Sequence, residues 1–116
     1  IGARDKNHLF YIDELKKVAN VFISTNDGSV GQKGLITELL EKELSNMKSK
    51  NTVFYNAGPR VMIDAVVEIE KKYAPNETIF NSIDYVTKCG VGICGSCATK
   101  EGKRMCVDGP FIGESA

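Results

Sequence analysis

Apolar residues recur along the first two thirds of the chain with alternating helical and strand-like periods. Leu9, Ile12, Leu15 and Ala19 lie near helical spacing, and Asp5 or Asn7 is placed to cap the helix they predict. Residues 20–25 follow as a strand, with three apolar residues in a row. Gly28, Gly31 and Gly34 mark a loop, after which Ile36, Leu39, Leu40, Leu44 and Met47 repeat at helical steps with charges on the other face. Residues 52–56 form another short apolar strand. Gly58-Pro59 turns it into a helix, because a first helical turn has no use for the N–H that proline lacks. Met62, Ala65, Val66, Ile69 and Tyr73 predict the buried stripe of that helix. Pro75 ends it, and residues 78–80 give a last short strand.

Strands apolar on both faces and separated by amphipathic helices predict an α/β fold with a parallel sheet covered on both sides. Three or four strands are few for such a layout. Ligands of open parallel sheets sit beyond the carboxyl ends of the strands, here the loops 25–34 and 56–60. The texture changes near residue 81. Residues 82–116 lack periodicity and carry all four cysteines and six of the eleven glycines. The predicted division is therefore a partial nucleotide-binding α/β domain over 1–81 and a metal-binding segment over 82–116.

The cysteines follow the pattern Cys89-x4-Cys94-x2-Cys97-x8-Cys106, and the first two intervals match the plant-type [2Fe–2S] arrangement. Two irons in tetrahedral sulfur coordination need four thiolates converging from opposite sides of one small rhomb. A loop that wraps the cluster must turn freely and approach closely, which Gly90, Gly92 and Gly95 allow. Backbone N–H groups brought close in this way can donate to the sulfurs and raise the reduction potential. Lys88, Lys100, Lys103 and Arg104 flank the site and offset its negative charge. A structural zinc site is the main alternative, although zinc favours paired C-x2-C knuckles and only Cys94 and Cys97 form one. Disulfides require an oxidising compartment, and nothing marks this chain as secreted.

At 116 residues there is room for one modest domain and a small appendage. Apolar content of 42% and charged content of 26% are ordinary for a globular protein. No run approaches the roughly 20 apolar residues of a membrane span. Arg4, Asp5 and Lys6 leave no apolar signal core, so the expected location is the cytoplasm. Fifteen basic residues balance fifteen acidic ones, which removes the electrostatic case for nucleic acid. Neutrality also fits a fixed relay inside a complex better than a freely diffusing carrier steered by its charge. The chain opens on Ile1, and Ile1-Gly2-Ala3-Arg4 reads as the tail of a strand already under way, so a piece of a longer polypeptide is expected.

The string from Lys88 to Cys97, followed by Arg104-Met-Cys-Val-Asp-Gly-Pro-Phe111, resembles the iron–sulfur segment of the electron-transfer subunit of B-type dihydroorotate dehydrogenase. Upstream, Gly2-Ala3-Arg4, Asp27-Gly28-Ser29 and Asn56-Ala-Gly-Pro-Arg-Val-Met62 resemble the pyridine-nucleotide half of the ferredoxin–NADP reductase superfamily. The resemblance implies a chain order of flavin barrel, nucleotide domain and cluster. Electrons from NADH pass through FAD and the cluster to a flavin on a catalytic partner subunit, which interconverts dihydroorotate and orotate. It makes Cys89, Cys94, Cys97 and Cys106 the cluster ligands. It places Arg4 on the adenosine side of an NAD(P) site, Asp27 and Gly28 in that site, and Gly58-Pro59 near the phosphates or nicotinamide.

Two departures matter. The flavin barrel and the first strand with its glycine-rich phosphate loop are absent from this sequence, so it is not expected to bind FAD and its nucleotide site is incomplete. Ala57 stands where the family commonly has a cysteine before Gly-Pro. The plain alternative for Arg4, Asp27, Gly28, Gly58 and Pro59 is turn and capping chemistry. His8, the single histidine, is read as a surface or packing residue. Electron-transfer subunits of sulfide dehydrogenases, hydrogenases and ferredoxin–NADP transhydrogenases are similar and give the competing partner assignments. A zinc-stabilised binding module is the competing reading from a different class.

Overall fold

The computed structural model describes residues 1–47 and 51–114. Packing divides the chain into two units, Ile1–Met47 and Lys48–Ala116. In the first, three two-residue strands make a parallel sheet in the order β1 (Gly2–Ala3), β2 (Ser24–Thr25), β3 (Gln32–Lys33). The opening residues are thus a strand, as the sequence predicts, while the strand predicted over 20–25 narrows to its last two residues. The helical pattern around Leu9 gives a 3-10 turn over Lys6–His8 and a short α1 (Ile12–Lys16) instead of one continuous helix. Tyr11 accounts for the break: it precedes α1 at φ +57°, a left-handed conformation that a helix cannot carry through. Asp5 is the cap foreseen for this region, its Oδ1 accepting the Asn7 N–H at 2.7 Å. Helix α2 (Ile36–Asn46) lies against β2 and buries Leu39 and Leu44, while Met47 beyond its end is exposed.

In the second unit β4 (Phe54–Gly58) and β5 (Ile79–Ile83) pair in parallel, Phe54 opposite Ile79 and Gly58 opposite Ile83. Helix α3 (Arg60–Glu70) connects them and packs on both, with Pro59 immediately before its first turn. β6 (Ile112–Gly113), which the sequence pattern did not reveal, runs antiparallel to β5 and returns the cysteine segment to the sheet. An α/β fold with parallel strands is present in both units. The described strands form two three-stranded sheets, however, and β1 and β4 are both outer strands.

The buried face of α3 is rotated from the predicted stripe. Ile63, Val66, Val67 and Glu70 are inside, whereas Ala65 and Tyr73 are exposed and Met62 and Ile69 are half-buried. The reason is Glu70, a carboxylate at a core position. Its Oε2 accepts from Asn56 Nδ2 at 2.7 Å, and the same amide group donates to Asn81 Oδ1 at 3.0 Å. Asn81 Nδ2 donates to Glu114 Oε2 at 2.9 Å, and Glu114 Oε1 pairs with Lys71 at 3.0 Å. This polar chain ties α3, β4 and β5 to the residue that follows β6. Among the described residues no helix is long and apolar enough to cross a membrane.

Candidate metal centre

The cysteine segment is built from one glycine-rich loop and one hairpin. In the loop, Gly90, Gly92 and Gly95 have φ of +71°, +77° and +73°, the left-handed turns that let six residues curl around one sulfur. Three backbone N–H groups point inward to Cys89 Sγ: Val91 at 3.5 Å, Ile93 at 3.3 Å and Cys94 at 3.5 Å. Ser96 N–H donates to Cys94 Sγ at 3.5 Å, and Ser96 Oγ anchors the loop to the Val86 carbonyl at 2.7 Å. After Cys97 the chain makes a tight hairpin, with Ala98 bridged to Arg104 and Thr99 N–H donating to the Lys103 carbonyl at 2.7 Å. Met105 N–H then donates to the Cys97 carbonyl at 3.2 Å. The eight-residue interval is therefore the length of a hairpin that sets Cys106 back beside Cys97.

The four thiols fall into two pairs. The Cys94 N–H reaches Cys89 Sγ at 3.5 Å, and the hairpin, closed by the Met105 N–H on the Cys97 carbonyl at 3.2 Å, brings Cys106 alongside Cys97. Among the described residues, no group of three or more His, Cys, Asp or Glu side chains converges as a site for a metal ion. Two pairs, each able to take one tetrahedral iron with bridging sulfides between the irons, fit a two-iron rhomb better than a lone zinc, which needs four donors at one point. Cys89 and Cys94 are exposed, Cys106 is half-buried and Cys97 is buried.

Electrostatics follow the same geometry. The N–H groups of Cys94, Val91 and Ile93 bring the Cys89 thiol down to about 6, close to the thiolate that binds iron. The Cys106 backbone N–H, with its thiol and the Met105 N–H, lowers Cys97. Burial raises Cys106, and the neighbouring Cys97 adds to the rise. Of the flanking cations, Arg104 is engaged with Asp108 Oδ2 at 3.4 Å and with the Gly92 carbonyl at 2.8 Å. That clamp was not foreseen; the i, i+4 spacing of Arg104 and Asp108 was its one visible signal.

The remaining predicted residues lie at strand ends. Arg4 follows β1 and its carbonyl accepts the Asp27 N–H at 3.2 Å, which brings Arg4, Asp27 and Gly28 together at the carboxyl edge of the first sheet. Asp27 Oδ1 caps the Ser29 N–H at 2.9 Å, and the Ser29 hydrogen bonds hold its carboxyl below the usual range. Ser29 Oγ in turn accepts the Lys6 N–H at 2.9 Å. Gly58 and Pro59 occupy the turn from β4 into α3 in the second unit. At φ +154° a Cβ on Gly58 would collide with Met62 Cε. A cavity of about 300 Å³ in this unit is lined by Arg60, Asn81, Tyr85, Met105 and Glu114 among others, and by none of the predicted nucleotide residues. His8 is exposed and faces Asp5 at 3.1 Å.

Comparison with known proteins agrees with this geometry. Residues 86–114 match the model of the iron–sulfur cluster binding domain of dihydroorotate dehydrogenase B. A probable dihydroorotate dehydrogenase B (NAD(+)) electron transfer subunit of Methanocaldococcus jannaschii is 40% identical over 113 residues, covering 97% of this chain and 42% of the relative. The corresponding subunit of Fusobacterium nucleatum is 35% identical over 115 residues, covering 95% and 42%. A solved structure of an NADH-dependent reduced ferredoxin-NADP oxidoreductase, described in connection with flavin-based electron bifurcation, superposes with a TM-score of 0.73 at 28% identity. It covers 98% of this chain and 41% of its own. The chain thus spans about 42% of the length of these curated relatives. Residues 86–114 thus match the iron–sulfur cluster binding domain of dihydroorotate dehydrogenase B, within a chain similar over 97% of its length to a probable electron transfer subunit of that enzyme.

Proposed function

We propose that this chain is the cluster-bearing part of an electron-transfer subunit. In the complete protein, electrons from NAD(P)H would pass through FAD to a [2Fe–2S] cluster and on to a catalytic flavoprotein partner, dihydroorotate dehydrogenase, in pyrimidine biosynthesis. What supports this reading is the glycine-rich loop whose amides face Cys89, with Cys94 at its end, and the hairpin that returns Cys106 to Cys97. When bound, the cluster would take up and release one electron at a time. Cys89, Cys94, Cys97 and Cys106 would hold it, and the inward N–H groups would offset the added negative charge. Residues 1–81 would supply the nucleotide-binding part, with Arg4, Asp27 and Gly28 as its candidate residues in the first unit and Gly58 and Pro59 in the second. Residues 82–116 supply the cluster. The assembly is a cytoplasmic hetero-oligomer, and this chain alone has no turnover.

Reconstitution with iron and sulfide tests the centre: two irons and two acid-labile sulfides per chain, a red-brown colour and a rhombic signal after dithionite are expected. A colourless chain that binds one zinc would replace this reading with a zinc-stabilised module. The likeness to the ferredoxin-NADP oxidoreductase favours a second partner assignment, a transhydrogenase subunit. Co-purification of the complete protein with a dihydroorotate-oxidising subunit separates the two.

A further inference from the structure

The apex of the cysteine loop is a single peptide unit, Gly92–Ile93, engaged at both ends. The Gly92 carbonyl accepts from Arg104 Nη1 at 2.8 Å, and the Ile93 N–H donates to Cys89 Sγ at 3.3 Å. In a planar trans peptide the C=O and N–H point opposite ways, so a group that pins the oxygen also aims the N–H. Glycine at 92 leaves this unit soft, because a residue without Cβ tolerates either orientation of the peptide that follows it. Arg104 stands against it: a Cβ on Gly92 would be 2.9 Å from Arg104 Nη1 and 3.1 Å from Val107 Cγ2. Arg104 is fixed in its turn. Its backbone N–H donates to Asp108 Oδ2 at 2.6 Å, its Nε approaches the same oxygen at 3.4 Å, and the Asp108 N–H returns to the Arg104 carbonyl at 2.7 Å.

We infer that Arg104, anchored by Asp108, is a positioning residue for the cluster: by holding the Gly92 carbonyl it locks the Ile93 N–H onto Cys89. The inference rests on the iron–sulfur reading and adds a specific determinant of potential to it. N–H groups aimed at a ligand sulfur favour the reduced, more negative cluster. With the clamp gone the peptide is free to flip, which withdraws that donor and turns a carbonyl oxygen toward the thiolate.

A bare positive charge near the cluster would also favour reduction, so the test must separate the clamp from the charge. Lys103, one residue away, carries the same charge and serves as the control, and Asp108 gives the sharper discrimination. Deleting its negative charge would ease reduction through space, whereas deleting the anchor of Arg104 would hinder it. In the reconstituted chain, titration with dithionite followed by paramagnetic resonance gives the midpoint potential of each variant. Arg104→Gln is expected to lower the one-electron reduction equilibrium about tenfold, ~59 mV. Asp108→Ala is expected to lower it several-fold, and Lys103→Gln to move it less than about twofold. A wild-type potential in Arg104→Gln, an equal fall in Lys103→Gln, or a rise in Asp108→Ala would overturn the clamp. Should Arg104→Gln fail to load iron, the sign of the Asp108→Ala shift decides alone. A wild-type chain that takes up neither iron nor sulfide would overturn the iron–sulfur reading itself, and the clamp with it.

Discussion

Replacing Glu70 by Gln probes the one carboxylate that the fold places inside. Glu70 is 1% exposed, and burial pushes its carboxyl above the ordinary value. The Asn56 amide pulls it back down, and the nearby Glu114 charge adds to the rise. A raised folded-state value means that the folded chain holds the proton more tightly than the unfolded chain. The resulting stability is fully present below the ordinary glutamate value and is lost as pH climbs through the raised one. Glutamine keeps the stem and an oxygen to accept the Asn56 N–H at the 2.7 Å position, but it never charges. Glu70→Gln should therefore match the parent near pH 4 and become progressively more stable than it toward pH 8. Glu70→Ala is different. It strands a half-buried Asn56 N–H, costing about 1–3 kcal/mol, and removes a buried methylene worth about 0.8 kcal/mol. Together these give a loss of about 2–4 kcal/mol at pH 5. Urea unfolding of the cluster-loaded chain, followed by circular dichroism from pH 4.5 to 8, measures both. Parallel stability profiles for the parent and Glu70→Gln would refute the reasoning, because the difference between them isolates the titration of this one group.

Three further outcomes are expected. Cys97→Ala should abolish cluster assembly and lower stability, since Cys97 is the most buried of the four ligands and the segment around it has little other apolar matter; iron analysis and visible absorbance would register the loss. The chain on its own should self-associate, because β1 and β4 are outer strands with unpaired edges among the described residues, and light scattering showing a stable monomer would count against this. NADH alone should leave the cluster of this chain oxidised, since hydride delivers two electrons and a [2Fe–2S] centre accepts one. A reduced-cluster resonance signal with NADH and no added flavin would contradict it.

The parts of the molecule legible in the sequence are those where one residue type has one physical use. The cysteine spacing and its glycines announce the loop from Cys89 to Cys97, whereas the hairpin that follows emerges only from the bridge between Ala98 and Arg104. The runs that became β4, β5 and α2 are legible for a similar reason, since each must hide apolar side chains. Pattern fails where a polar group is buried with a partner. Glu70 looked like a surface residue, so the predicted stripe of α3 settled one position away from the real one. It bonds to Asn56, 14 residues upstream, and Asn56 leads through Asn81 to Glu114, which lies 33 residues beyond Asn81. No local window contains them together. β6 was hidden in the same way: two residues carry no period, and only the return of the chain to β5 makes them a strand.

The same distinction explains why the four cysteines stand out as candidate ligands from spacing while Arg104 does not stand out at all. A ligand is specified by its own chemistry, and a thiol that binds iron is recognisable wherever it stands. A positioning residue is specified by what it holds, and Arg104 among four flanking cations looked like one more counter-charge. Its role depends on a carbonyl 12 residues away whose peptide happens to carry the N–H aimed at Cys89. The asymmetry of the centre follows from this placement. Three amides converge on Cys89, one reaches Cys94, and both of these residues are exposed while Cys97 is buried. The exposed pair therefore carries the densest set of amide donors. One arginine fixes the central donor of that set, so a single side chain on the hairpin links the geometry of the loop to the potential at which electrons would leave.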